Sequence, residues 1–193
     1  VTELVNCLLR SYFQRTIPAE DSVESAWAKL RGSLLHYVDR SFGWSELRIS
    51  MPLKIGEQEI EILGHVDAYA PESSTIYELK TTRFAEWQAK NGYIPRESHV
   101  AQLQCYQTLF ENYKIPVKRL VLVYLDDSAF QARQIALADR KDWLLQRVSM
   151  LHKAVGGRPT PQAEPSYTCQ FCAYSNLCPA KKPFLMIGRL GNE

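Results

Sequence analysis

The sequence predicts an α/β fold, a sheet core flanked by helices with a metal-bound C-terminal end. Three observations lead there. Apolar and polar residues alternate in strand-length segments between Leu47 and Thr81, the period of strands with one buried face. Stretches of helical periodicity stand before and after that block. Three cysteines fall within ten residues near the C-terminus, beyond a segment rich in Gly, Pro and polar residues. At 193 residues the chain is long enough for one well-buried domain and a small appendage.

The elements follow in order. Glu3 to Phe13 reads as a short helix carrying Cys7. Ser22 suits the N-cap of a second helix reaching about Phe42, with Trp27, Leu30, Leu34 and Val38 as its apolar stripe. Leu47, Ile49, Met51, Leu53 and Ile55 mark a strand, and Pro52 places it at a sheet edge. Gly56-Glu57-Gln58 turns the chain into a second strand through Ile60, Ile62, Gly64 and Val66, which Asp67 ends. Pro71 to Ser74 turns it again, into a third strand from Thr75 to Thr81. Arg83 to Pro95 is rich in turn residues, and a helix follows from about Glu97 to Tyr113. Leu120 to Leu125 is a continuous apolar run, the pattern of a strand buried on both faces. Asp126-Asp127-Ser128 turns into a further strand ending near Leu137, and Asp139 is placed to cap a last helix, Arg140 to Val155. Gly156 to Ser166 reads as a tether. The resulting division is 1–21, an N-terminal helix with one cysteine; 22–155, the core; and 156–193, the tether and cysteine module.

Composition narrows the functional classes. With 46% hydrophobic and 23% charged residues, the chain reads as an ordinary globular protein. No apolar run approaches the roughly 20 residues of a membrane span. Val1-Thr2-Glu3-Leu4 carries neither a basic leader nor a cleavage site, so the expected location is the cytoplasm. A net charge of +2 marks no nucleic-acid binder by itself, and any phosphate-binding surface has to be local. The five cysteines, three of them clustered, favour metal ligation over disulfides in a cytosolic chain.

Glu78 and Lys80 are two apart in a strand and so point to one face. The turn at Pro71 to Ser74 can bring Asp67 alongside Glu78. Two converging carboxylates suit a hard divalent cation such as Mg²⁺ or Mn²⁺. A lysine beside them can orient or deprotonate a water and offset charge on a phosphate. The same triplet is equally compatible with an ion pair on a solvated sheet face. His36 sits on a largely apolar helix, where a lone histidine is more often packed than ligating. His99, Gln102 and Tyr106 share one face of the later helix, a stripe that is usually solvated, with Val100, Leu103 and Phe110 opposite.

Their order resembles a family. Gly32 to His36, Gly64 to Asp67, Glu78-Leu79-Lys80 and Gln102 to Tyr106 match the Gly-x-x-x-His, Gly-x-x-Asp, Glu-x-Lys and Gln-x-x-x-Tyr series of the RecB-like branch of the PD-(D/E)XK nucleases. The usual proline before the aspartate is replaced by Val66. The resemblance implies a restriction-endonuclease-like fold with a mixed central sheet. It implies Asp67, Glu78 and the Leu79 carbonyl as ligands of a catalytic Mn²⁺ or Mg²⁺, with His36 as a further ligand. Lys80 would then activate or position the water, and Gln102 and Tyr106 would hold Lys80 or the nucleic-acid strand.

Cys169, Cys172 and Cys178 supply three soft ligands, and Cys7 is the candidate fourth. On spacing alone zinc and an iron–sulfur cluster are both open. The five-residue gap, long for a zinc knuckle, and the ligand from the opposite end of the chain favour the cluster. One cysteine before the nuclease motifs and three after them resembles the iron–sulfur subset of RecB-like nucleases, and within it the CRISPR-associated exonucleases of the fourth Cas protein family. That likeness implies a structural cluster, [4Fe–4S] favoured over [2Fe–2S], clamping the C-terminal module onto the N-terminal helix. Cys105 reads as a small buried residue. Arg83, Trp87, Lys90, Tyr93 and Arg96 mix cations with aromatics, which suits single-stranded nucleic acid, or else form a mobile loop with scattered charges.

The leading expectation is a metal-dependent deoxyribonuclease working from the ends of single strands. The family likeness adds trimming of fragments for CRISPR spacer acquisition beside the integrase proteins. A DNA-handling adaptor with little turnover and a general repair or recombination nuclease are the competing readings.

Overall fold

The computed structural model describes residues 1–18, 44–166, 168–169 and 172–180. The expected helix from Ser22 to Phe42, with His36, lies outside the described residues. Among the described residues five strands make one sheet in sequence order: β1 (Trp44–Ile55), β2 (Gln58–Ala70), β3 (Thr75–Thr81), β4 (Arg119–Leu125) and β5 (Phe130–Ile135). The described helices are α1 (Thr2–Val5), α2 (Leu8–Thr16), α3 (Ala85–Lys90), α4 (Glu97–Asn112) and α5 (Lys141–Val155).

β1, β2 and β3 form the expected antiparallel meander, with Pro52 on the edge strand where its missing N–H costs no ladder bond. The β1–β2 turn is two residues, and Gly56 takes its φ of +61°. β3 and β4 run parallel, linked by α3 and α4, so the sheet is mixed. β4 is less enclosed than an unbroken apolar run suggests: Leu120, Leu122 and Tyr124 are buried while Val121, Val123 and Leu125 are half-buried.

Two expectations need correcting at the N-terminus and in β2. The first helix is broken into α1 and α2 at Asn6 and Cys7, so Cys7 sits in the break and not within a helix. Arg147 supplies the physical reason, since its guanidinium donates to the Leu4 and Asn6 carbonyls that a continuous helix would have used. Asp67 does not end β2, which runs three residues further, to Ala70. Instead Asp67 marks a fork. β2 and β3 pair over only three positions, Ala68–Tyr77, Tyr69–Ile76 and Ala70–Thr75, after which β2 stays with β1 and β3 with β4.

α4 lies across the sheet and is buried from Ala101 to Phe110 without interruption. It therefore has no solvated stripe, and its polar side chains are tied down individually. Gln104 donates to the Ala136 carbonyl and accepts from Arg140, while Gln107 accepts the Ala138 N–H and donates to Glu111. Close approach is possible because residue 64 is glycine. A Cβ there would come within 2.9 Å of the Tyr106 ring and 3.0 Å of Leu109.

Candidate active site

The fork between β2 and β3 is where the acidic residues meet. Where the ladder stops, Asp67 Oδ2 takes over as acceptor and receives the Leu79 N–H at 2.7 Å. One residue earlier, Glu78 points into the interior with only 2% of its surface exposed. Lys80, on the same side of β3, donates from Nζ to Glu78 Oε1 at 2.6 Å. Glu78 Oε2 is buried with no hydrogen-bond partner among the described residues. This is no ion pair on a solvated sheet face.

The electrostatics follow from that placement. Burial pushes the Glu78 carboxyl up to about 8; Lys80 works against this and the adjacent Asp67 adds to it. A buried carboxylate with an unpaired oxygen beside a second carboxylate is costly in the absence of a cation. That orphaned oxygen, with hard oxygen donors around it, fits a divalent ion of the Mg²⁺ or Mn²⁺ type. Asp67 and Glu78 supply two donors; no three His, Cys, Asp or Glu side chains gather as an ion-binding group among the described residues.

Tyr106 closes the inner side of this space. Burial raises its hydroxyl pKa, and the charges of Glu78 and Asp67 raise it further. Gln102 Nε2 donates to the Tyr106 hydroxyl at 2.7 Å. The structure thus joins Gln102 to Tyr106, whereas the sequence suggested that the two hold Lys80 or the strand. A cavity of about 420 Å³ between α1, β2 and α5 is mostly apolar and contains none of these groups.

Beyond Lys80 the chain leaves the sheet through Thr82 and Arg83 into α3, a helix inside the segment expected to be turns. Asp126 fixes it: Oδ2 accepts the Ala85 N–H at 2.6 Å, and Oδ1 accepts the Ser128 and Ala129 N–H groups. These hydrogen bonds hold the Asp126 carboxyl down to about 2. Trp87 and Tyr93 stack at 5.3 Å and 16°, and both are exposed. Phe84 is also exposed, and Lys90 pairs with Glu86. Asp126 was visible in the sequence only as a turn residue; an acceptor with N–H groups due two and three positions later was the available sign.

The two ends of the chain meet on α2. Tyr174 packs its ring on Phe13 at 5.6 Å and donates to the Ile17 carbonyl. Glu164 accepts the Leu8 N–H and takes a two-oxygen ion pair from Arg147, while its own N–H reaches Cys7 Sγ at 3.4 Å. Ser166 N–H likewise reaches Cys169 Sγ at 3.2 Å. All five thiols are free; Cys7, Cys169, Cys172 and Cys178 are half-buried. Cys105 belongs to the core, and burial lifts its thiol to about 12. The described cysteines do not converge into a group of three.

Comparison with known proteins decides the family. The profile of the PD-(D/E)XK nuclease superfamily matches residues 2–179. The chain belongs to that superfamily. Its members are metal-dependent phosphodiester hydrolases, so the protein is a nuclease. No curated protein matches the chain by sequence. Among solved structures, SSO0001 superposes with a TM-score of 0.67 at 21% identity, over 94% of this chain and 85% of that one, a likeness of fold. A proposed exonuclease of Eubacterium rectale aligns with a TM-score of 0.39 at 15% identity, over 76% of this chain and 59% of that one. In this PD-(D/E)XK protein no described helix is long and apolar enough to cross a membrane.

Proposed function

We propose that this chain is a DNA exonuclease acting on single strands, with Asp67, Glu78 and Lys80 as its catalytic centre. The observation that carries this reading is the buried, unpartnered Glu78 Oε2 between Lys80 and Asp67. Asp67, Glu78 and the Leu79 carbonyl would hold Mg²⁺ or Mn²⁺, with His36 as a further ligand. When bound, that ion acts as a Lewis acid on the phosphate and activates water. Asp67 anchors the Leu79 main chain through its N–H. Lys80, tethered by Glu78, presents Nζ to the phosphate and offsets charge developing there. Tyr106, oriented by Gln102, walls off the inner side.

Single-strand preference rests on the exposed Trp87–Tyr93 stack, with Arg83, Lys90 and Arg96 nearby in sequence. Unpaired bases stack on such surfaces whatever their identity. The order of motifs, with Cys7 before and Cys169, Cys172 and Cys178 after, supports a structural iron–sulfur cluster, [4Fe–4S] in preference to [2Fe–2S]. It also supports trimming of fragments for CRISPR spacer acquisition alongside integrase proteins, in the cytoplasm. The docking of Tyr174 on α2 is consistent with a cluster joining the two ends.

The test is anaerobic purification followed by incubation with end-labelled linear and circular single-stranded DNA. With Mn²⁺ or Mg²⁺ the linear strand shortens and the circle persists; chelator stops the reaction. Lys80→Ala is expected to lose about a hundredfold or more. Equal cleavage by that variant would sink the mechanism, and a colourless, zinc-containing preparation would sink the cluster.

A further inference from the structure

α4 presents His99, Gln102 and Tyr106 along one line. Tyr106, at one end, feels the charges of Glu78 and Asp67; His99, at the other, feels that of Lys80. The line therefore follows β3 from the carboxylates outward. His99 is tied to Tyr124, which stands next to Lys80 in the β3–β4 register.

The tautomer follows from the hydroxyl between them. Tyr124 is 1% exposed, and its oxygen accepts the Arg96 N–H at 3.0 Å while lying 2.9 Å from His99 Nδ1. A buried hydroxyl proton needs an acceptor, and Nδ1 is the one in reach. Nδ1 is then unprotonated, and the ring proton resides on Nε2. Nε2 forms no hydrogen bond among the described residues and is not one of their buried unpartnered atoms. It is a donor with no partner among the described residues, on a half-buried side chain that feels the charge of Lys80. Burial, Lys80 and Arg96 hold the imidazole down to about 3, so it stays neutral and keeps both roles at neutral pH.

Resting on the nuclease reading, we propose that His99 touches the substrate, its Nε2–H donating to a non-bridging phosphate oxygen of the DNA strand seated beside Lys80. Lysine contributes charge with loose direction; the imidazole contributes direction without charge. Together they fix one phosphate laterally, while Tyr124 keeps the ring from turning.

The test is a cycle between protein and DNA, with binding and cleavage read separately. Short oligothymidylates carry a neutral methylphosphonate at successive positions, and affinity is measured by fluorescence anisotropy with Mn²⁺. For wild type, one position is expected to weaken binding about tenfold, the scale of a hydrogen bond to a charged group. His99→Ala loses the same on the unmodified strand and nothing further at that position, and His99→Asn or His99→Gln, which keep an N–H donor, recover part of it. If the two losses multiply, or His99→Ala binds the unmodified strand like wild type, His99 is only a support for Tyr124. Should His99→Ala fail to fold, the amide variants run the same cycle. A wild-type protein that binds but never cleaves overturns the nuclease reading and leaves the cycle decisive for His99; one that binds no strand overturns both.

Discussion

Glu78 is held where its charge is disfavoured, and this has a measurable pH signature. Its folded pKa of about 8 lies above the ordinary 4.5, so its contribution to stability is full below about pH 4.5. That contribution is lost as pH rises through about 8. Metal-free wild type should therefore melt at progressively lower temperature across this range, and Glu78→Gln should flatten the trend. An unchanged slope in the variant would show that Glu78 is not the group responsible. Metal competes with the proton, so the Mn²⁺ midpoint should tighten with rising pH, by up to about tenfold per unit, and level off above about pH 8. Calorimetric titration at several pH values checks this. Pairing of Glu78 with Lys80 was legible because a strand has period two. The orphaned oxygen was not, since burial depends on α4 crossing the fork. His99 was legible as a position on a stripe, but its neutral state and tautomer depend on Tyr124, a β4 residue with no sequence mark of that role.

At the scale of elements, α4 and α3 show where pattern and packing part company. The polar stripe on α4 suggested a wet face; instead Gln102, Gln104 and Gln107 are buried because the sheet, the loop before α5 and the N-terminal helices enclose the helix together. Helical periodicity encodes which residues share a side, and says nothing of how many neighbours arrive. The glycine at 64 was read as part of a motif; its physical basis is the Tyr106 ring lying against β2. Gly64→Ala should cost about 1–3 kcal/mol by overpacking, measured by urea unfolding, and displace Tyr106 from the carboxylates. Gly64→Ala with wild-type stability and activity would refute that contact. α3 went unseen because Arg83 to Pro95 has turn composition, while Asp126 caps the helix from a distant turn. Asp126→Ala should expose the Arg83–Pro95 segment to protease and raise the KM for single strands, whereas Asp126→Asn should keep much of the cap. Equal proteolysis of wild type and Asp126→Ala would remove Asp126 from that role.

Across the whole molecule, the three-stranded meander was legible in the sequence and the parallel pairing of β3 with β4 was not, while the tie between the chain's two ends was only half so. The cysteine pattern suggested that residues near Cys7 and Cys169 meet. Arg147 and Glu164, which hold that region together, bear no sequence mark of the role. Arg147 is nearly buried, stacks on Trp143 at 4.8 Å and serves two main-chain carbonyls and Glu164 at once. Arg147→Ala should cost about 3 kcal/mol and leave those carbonyls without their donor. Thermal melting checks it, and a loss within about 0.5 kcal/mol would demote the residue to an ordinary surface charge.

That tie has a consequence in time. Leu8 and Glu164 are 156 positions apart, so their contact closes one of the longest loops available to the chain. On a ribosome α1 and α2 emerge before the sheet, yet they wait for Arg147 and Glu164, far later in the chain, before the break at Cys7 is held in place. The sheet can assemble from its local hairpins early, while the joint between the ends forms late. Contacts absent from the folding transition state act mainly on the rate of opening. Hydrogen exchange in native protein should accordingly show the Leu8 amide released in a small, early unfolding unit, well before the amides of β3 and β4.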